Sequence, residues 1–159
     1  MKNLEDKQKL CDQLRRSKNV IFYGVRETNN RTNSDIDIIL EIINSKLNVA
    51  LDKSNINCCF RMKTADKNNI KPILVQFCSS VHTKKVIFYN KKLLKGINII
   101  IREDLTPDKL QIFKAMIEKV NKNGKIWTNN GEIFFKSNGS DVVKKIKEWH
   151  DVNAIGITR

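Results

Sequence analysis

The chain has 159 residues, 40% of them hydrophobic and 30% charged, a balance that suits one ordinary domain or two small ones with modest cores. Its longest unbroken apolar runs are four residues, which excludes a helical bilayer span, and the mixed-charge start MKNLEDKQKL does not read as a secretory signal, so an intracellular protein of the cytoplasm or nucleus is expected. The formal net charge of +13 points to an acidic partner, and the excess is concentrated: residues 53–101 hold ten Lys and Arg against one acidic residue.

Residues 1–18 place Leu4, Cys11 and Leu14 at near-heptad spacing among charged residues, the pattern of a coiled-coil tail. So short a helix is marginal alone, and partners or a longer upstream segment are expected to support it. NVIFYGVRE, at 19–27, predicts a strand over 20–25, and alternation alone allows either Phe22 or Tyr23 to face the core. After the polar loop TNNRTNS, Asn33 or Ser34 caps a helix with Asp35 and Asp37 in its first turn and Ile36, Ile39, Leu40, Ile43 and Leu47 on its buried face.

NCCFRMK belongs to a second strand over 56–63, the polar turn ADKNN follows, and PILVQFC is a third strand. A helix from Ser80 turns Val86, Ile87, Leu93 and Leu94 inward and stops at Gly96, and INIIIR is a fourth strand. The order β-α-β-β-α-β over 19–102 is the ferredoxin-like pattern of an antiparallel four-stranded sheet with two helices on one face, leaving the other face open for a ligand.

From 103 to 159 a small helix-plus-sheet domain is expected. Thr106, Pro107 and Asp108 open a helix striped by Leu110, Phe113, Ile117 and Val120, and Gly124 stops it. KIWTNNGEIFFK is a hairpin about Asn130-Gly131, and VVKKIK reads as a third strand, with helical periodicity nearly as good. Residues 1–18, 19–102 and 103–159 thus form a helix, a ferredoxin-like domain and a small α/β domain in an α+β protein.

No chemistry-bearing constellation is present. The four cysteines lack C-x-x-C spacing and only His82 and His150 are at hand, so reduced, mostly buried thiols are expected in place of a zinc site. Asp35 and Asp37 point differently from a helix start and are better explained by capping than by a metal. No phosphate-binding glycine loop, H-E-x-x-H or nucleophile-base pattern occurs, so neither an enzyme nor a cofactor is expected.

The succession NVIFYGVRE, FRMK before KPILVQF, REDLTPDKLQIF and KIWTNNGEIFFK resembles the nucleic-acid-binding region of first-open-reading-frame proteins of LINE-type retrotransposons, together with the related baculovirus few-polyhedra proteins and insect element-derived copies, over about residues 15–150. The resemblance implies a coiled coil, an RNA-recognition-motif (RRM) fold and a small C-terminal domain that jointly bind single-stranded nucleic acid, with chaperone activity in strand exchange and self-association through the coiled coil. It also implies that Val20 and Phe22 pack inward while Ile21 and Tyr23 face outward, which makes Tyr23 a stacking candidate.

An ordinary RRM stacks bases on its first and third strands. Here KPILVQF offers only Pro72, Leu74 and Gln76 outward if Ile73, Val75 and Phe77 pack inward, so phosphate contacts should dominate and sequence preference should be weak. Arg61 matches a basic position of the family, and Lys63 and Lys71 lie near it at the sheet end. Arg26 follows the first strand and Arg102 ends the fourth. Lys84, Lys85, Lys91, Lys92 and Lys95 form the densest basic cluster. In the last domain Lys125 and Lys136 accompany Phe134, Phe135 and Trp127, ingredients of a single-strand groove, although Trp127 is expected to anchor the core; Lys144, Lys145 and Lys147 extend that basic edge. The expected partner is single-stranded RNA or DNA. The alternative is a few-polyhedra-like module that binds proteins, with its basic charge incidental.

Overall fold

Phe22, not Tyr23, enters the core: Val20 and Phe22 are fully buried while Tyr23 is half-exposed on the other side of its strand. The computed structural model describes residues 2–28, 33–64, 69–79 and 81–156, so most of the loop at 28–34, the turn at 65–69 and the expected helix start at Ser80 lie outside the described residues. The chain is a mixed α+β protein with two antiparallel sheets, divided into the units Lys18–Asp104 and Met1–Ser17 with Leu105–Arg159.

In the unit Lys18–Asp104, β1 (Asn19–Tyr23), β2 (Ile56–Arg61), β3 (Ile73–Phe77) and β4 (Ile100–Glu103) form a sheet in the order β2-β3-β1-β4. One face carries Val20, Phe22, Ile73, Val75, Phe77 and Ile101 into a core shared with Ile39, Leu40 and Ile43 of α2 (Asp35–Glu41) and its π-helical continuation Ile42–Lys46, and with Ile87 of α3 (Val81–Asn90). These are the β-branched and aromatic positions at period two on the strands, and burying each such side chain contributes roughly 1.5–3 kcal/mol. Leu93 is exposed instead of inward; a 3-10 turn over Lys91–Leu94 retightens the helix end so that Leu94 alone of the pair is buried.

α2 starts as expected. Asp37 accepts from the Ser34 hydroxyl at 2.6 Å and its backbone N–H at 3.3 Å, and Asp35 turns to Arg61, so the two carboxylates diverge. Gly24 has φ of 82°, and a Cβ there would stand 1.9 Å from the Asn98 carbonyl oxygen, so only glycine lets the end of β1 meet the approach to β4.

In the other unit, β5 (Gly124–Asn129), β6 (Glu132–Ser137) and β7 (Lys144–Ile146) form a three-stranded sheet. Asn130 and Gly131 both have positive φ, as a tight hairpin of this type requires. Ile133, Phe135 and Ile146 pack against Ile112, Phe113, Met116 and Val120 of α4 (Pro107–Val120) and Val152 of α5 (Trp149–Ala154). The buried stripe of α4 is shifted from the expected one: Ile117 is partly exposed, and Ile112 and Met116 take the inner positions. Asn121, with φ of 46°, ends the helix; Gly124 instead opens β5, where a Cβ would meet the Lys136 carbonyl oxygen at 2.5 Å. The short α5 has no counterpart in the sequence reading. Asp151 fixes its start by accepting from the Lys147 and Glu148 backbone N–H groups, which holds its carboxyl below the usual range.

The helix expected in residues 1–18 is α1 (Lys2–Arg15); Gln13 accepts from the Thr106 N–H at 3.1 Å, and Leu4, Leu10 and Leu14 are exposed. The cysteines are free but not buried as expected: Cys11 of α1 and Cys78, just past the end of β3, are exposed, and Cys58 and Cys59 are intermediate. Burial, then the Asp35 charge, push the Cys59 thiol up to about 11, which keeps it protonated and unreactive. Among the described residues no helix is long and apolar enough to cross a membrane, and no group of three or more His, Cys, Asp or Glu is placed to hold a metal ion.

Candidate nucleic-acid interface

Strand register builds the second face of the four-stranded sheet in rows. Phe60, Leu74, Ile21 and Arg102 are successive cross-strand partners, and so share a face. A second row pairs Tyr23 with Ile100 and continues to Pro72 and Met62, whose N–H donates to the Pro72 carbonyl at 2.8 Å. At the centre, Ile21 and Leu74 are buried, which corrects the expectation of a wholly bare face: they sit on the two central strands of a row whose edge members are Phe60 and Arg102. What is exposed is the rim, with Phe60 50% and Ile100 53% accessible. The Arg102 guanidinium lies 5.6 Å from the centroid of the Tyr23 ring, and burial pushes the Tyr23 phenol above its ordinary range while Arg102 pulls it back.

Beyond this row an amide relay runs from β2 through β3 and β1 to Asp104, just past the end of β4. Asn57 Nδ2 donates to Gln76 Oε1 at 2.5 Å, Gln76 Nε2 to Asn19 Oδ1 at 3.1 Å, and Asn19 Nδ2 to Asp104 Oδ2 at 2.8 Å. The Asp104 carboxylate can only accept, so it sets the direction of each amide in the chain.

The basic residues divide into three kinds. Arg61 is structural: its side chain is 10% exposed and its Nε donates to Asp35 at 2.9 Å. Nη1 donates to the Val25 carbonyl at 2.8 Å and the Lys71 carbonyl at 3.0 Å, and Nη2 to the Arg26 carbonyl at 3.3 Å. A guanidinium facing inward from β2 is the one side chain there with enough donors to satisfy three loop carbonyls at once. Arg61 is therefore withdrawn from the phosphate-binding set. Lys84 is withdrawn too, because Nζ lies 3.0 Å from Glu103 Oε1 with both side chains buried; a buried carboxylate on the core side of β4 needs that cation.

Six exposed cations lie toward one end of the sheet. Arg61 ties together the segments after β1, after β2 and before β3, which carry Arg26, Lys63 and Lys71, all exposed. β4 runs antiparallel to β1 with Ile100 opposite Tyr23, so the segment leading into β4, with exposed Lys91, Lys92 and Lys95, arrives at the same end. Lys91 and Lys92 lie over the rings of Phe88 and Tyr89 at 5.5 and 4.5 Å. Lys85, exposed, stands mid-helix beside Lys84, separated from Lys91 by about 9 Å of rise, so the expected cluster of five is split.

In the second sheet, hairpin register pairs Ile126 with Phe135 and Trp127 with Phe134. Because Ile133 and Phe135 are buried against α4, Trp127 and Phe134 take the opposite face, where their rings stack with centroids 5.9 Å apart at 20°. Trp127 is thus not the core anchor it was expected to be. Lys125 and Lys136 are partners on that same face, and Lys136 Nζ lies 3.2 Å from Asp141 Oδ1. Lys144 and Lys147 are exposed near β7.

Sequence reasoning missed Phe60 and Ile100. Alternation with inward Cys59 and Ile101 was the available signal, but the adjacent Arg61 and the run of isoleucines drew attention to charge and core. Comparison of the sequence with protein-family models and with curated proteins returns no match.

Proposed function

We propose that this chain is a non-enzymatic, single-stranded nucleic-acid-binding protein, and that Lys18–Asp104 is an RRM-like, ferredoxin-like module that supplies its main contact surface. The element order and the strand order β2-β3-β1-β4, with α2 and α3 on one face, support the fold reading. The observation that carries the function is that the segments bearing Arg26, Lys63 and Lys71, held by Arg61, and the segment bearing Lys91, Lys92 and Lys95, which leads into β4, lie by strand direction at the sheet end that also bears Tyr23, Phe60 and Ile100.

Ammonium and guanidinium groups there would neutralise phosphates, and the half-exposed rings would take bases without reading their edges. A surface of this kind holds a strand firmly at low salt and lets it rearrange, which suits annealing and strand exchange, the activity implied by the retrotransposon resemblance. RNA and single-stranded DNA are both candidate ligands, in cytoplasm or nucleus. Self-association belongs to the same reading, supported by the exposed Leu4, Leu10 and Leu14 of α1.

The test is a salt titration of single-stranded RNA binding. If all six cations engage phosphates, log K falls against log salt with a slope of about −4. No affinity at low salt, or a slope near zero, overturns the proposal in favour of the protein-binding alternative.

A further inference from the structure

We infer that the stacked pair Trp127–Phe134 is a second contact site for single-stranded nucleic acid, one that grips bases through their π-faces and gives the protein an affinity component that salt does not remove. The inference rests on the nucleic-acid reading above but on a different sheet and a different force.

Three observations point to it. First, two large aromatic side chains lie on the face of the β5-β6-β7 sheet that the core does not use, although buried positions on α4, α5 and the sheet itself provide a complete apolar cluster without them. Second, both are partly exposed cross-strand partners stacked on one another, so their outer ring faces are held by the hairpin ladder with little left to order on binding. Third, the neighbouring positions on the same face are cationic: Lys125 and Lys136 lie one pair further along β5 and β6, and Lys145 is opposite Phe134 on β7. Alternate residues on a strand are about 7 Å apart, so a base stacked on either ring brings its phosphate to the lysine row.

Acids are also present: Asp141 pairs with Lys136 at 3.2 Å, and Glu132 with Lys145 at 3.3 Å and Lys109 at 3.5 Å. Two of the three flanking lysines are thereby partly neutralised, and phosphate attraction at this sheet is correspondingly modest. The site is left to depend on ring stacking, and that is what separates it from the sheet end in the other unit. A proline-rich peptide would also fit an aromatic face, but the Lys125–Lys136 pair beside the rings offers it nothing.

The experiment uses the full chain carrying Trp149→Phe, which leaves Trp127 as the one tryptophan. Its fluorescence and anisotropy are followed with oligo-dT and with an abasic oligomer of equal length and phosphate count. Oligo-dT is expected to bind roughly tenfold more tightly than the abasic oligomer, a ratio that persists as salt is raised, and to quench Trp127. Trp127→Ala, or the milder Phe134→Leu should the first not fold, removes that ratio and leaves abasic affinity unchanged. Equal affinities with silent Trp127 fluorescence overturn this site while leaving the general nucleic-acid reading standing. Failure of both oligomers to bind overturns both, and quenching by a proline-rich peptide but not by oligo-dT assigns the face to a protein partner.

Discussion

Lys84 and Glu103 form a buried ion pair, Nζ to Oε1 3.0 Å, between α3 and the end of β4. Two charges taken out of water hold each other, and neither is tolerable alone. Lys84→Met is therefore expected to lower the unfolding free energy by about 3–5 kcal/mol, and Lys84→Met with Glu103→Leu to recover most of it. Urea denaturation measures both, and a single variant as stable as the parent contradicts the pairing. Nucleic-acid affinity of the double variant should stay near that of the parent.

Arg61 offers a separate test of a structural cation. Its fork serves Asp35 and three carbonyls, and a lysine can replace the charge but not the geometry. Arg61→Lys should cost on the order of 1–3 kcal/mol in stability, read by thermal or urea unfolding. A variant with unchanged stability would show that the carbonyls have other partners.

Charge removal at the sheet end should act on binding and not on folding. Replacing Lys91, Lys92 and Lys95 with alanine is expected to weaken binding to all sequences alike and to make the salt slope shallower by about 2. Lys85→Ala, in the middle of α3, should change little. Anisotropy titrations at several salt concentrations decide it; equal effects of Lys85 and the triple change would refute a localised surface.

Phe22 and Phe60 make an opposed pair of probes. Phe22→Ala empties a fully buried position and should cost about 3–5 kcal/mol. Phe60→Ala removes a half-exposed ring and should leave stability nearly intact while lowering affinity roughly fivefold or more. Affinity that survives Phe60→Ala removes this ring from the contact surface.

Acid should weaken the start of α2. Hydrogen bonds from Lys53 and Ser34 hold the Asp37 carboxyl at about 2, below its ordinary 3.8. A depressed folded-state value means that this stabilisation is complete above about 4 and fades as pH falls toward 2. Asp37→Asn should flatten that part of the stability-pH curve, measured by denaturant unfolding across the window. The group is exposed, so the amplitude should be small and reduced by salt.

Local rules carried far in this chain. Glycine and asparagine at the turns, Ser34 ahead of Asp37, Pro107 at a helix start and period-two apolar runs were enough to place β1 to β6, the long helices and the hairpin, because each is written within a few neighbouring residues, whereas over VVKKIK strand and helix patterns were nearly balanced. α5 escaped because six residues carry too little periodicity to stand out from a charged tail.

The sequence by itself determined that the chain is basic, that its charge excess lies in the middle third, and where most of the strands and the longer helices form, since composition and short-range patterning need no folded partner. Only tertiary structure decided which cations are left exposed. Arg61 and Lys84 read as surface charges until Asp35, three carbonyls and Glu103 are brought to them from 26, 10 and 19 residues away and more, and Trp127 read as core until the register set it opposite Phe134. A side chain's availability depends on what long-range pairing places beside it, and that information is spread over the whole chain.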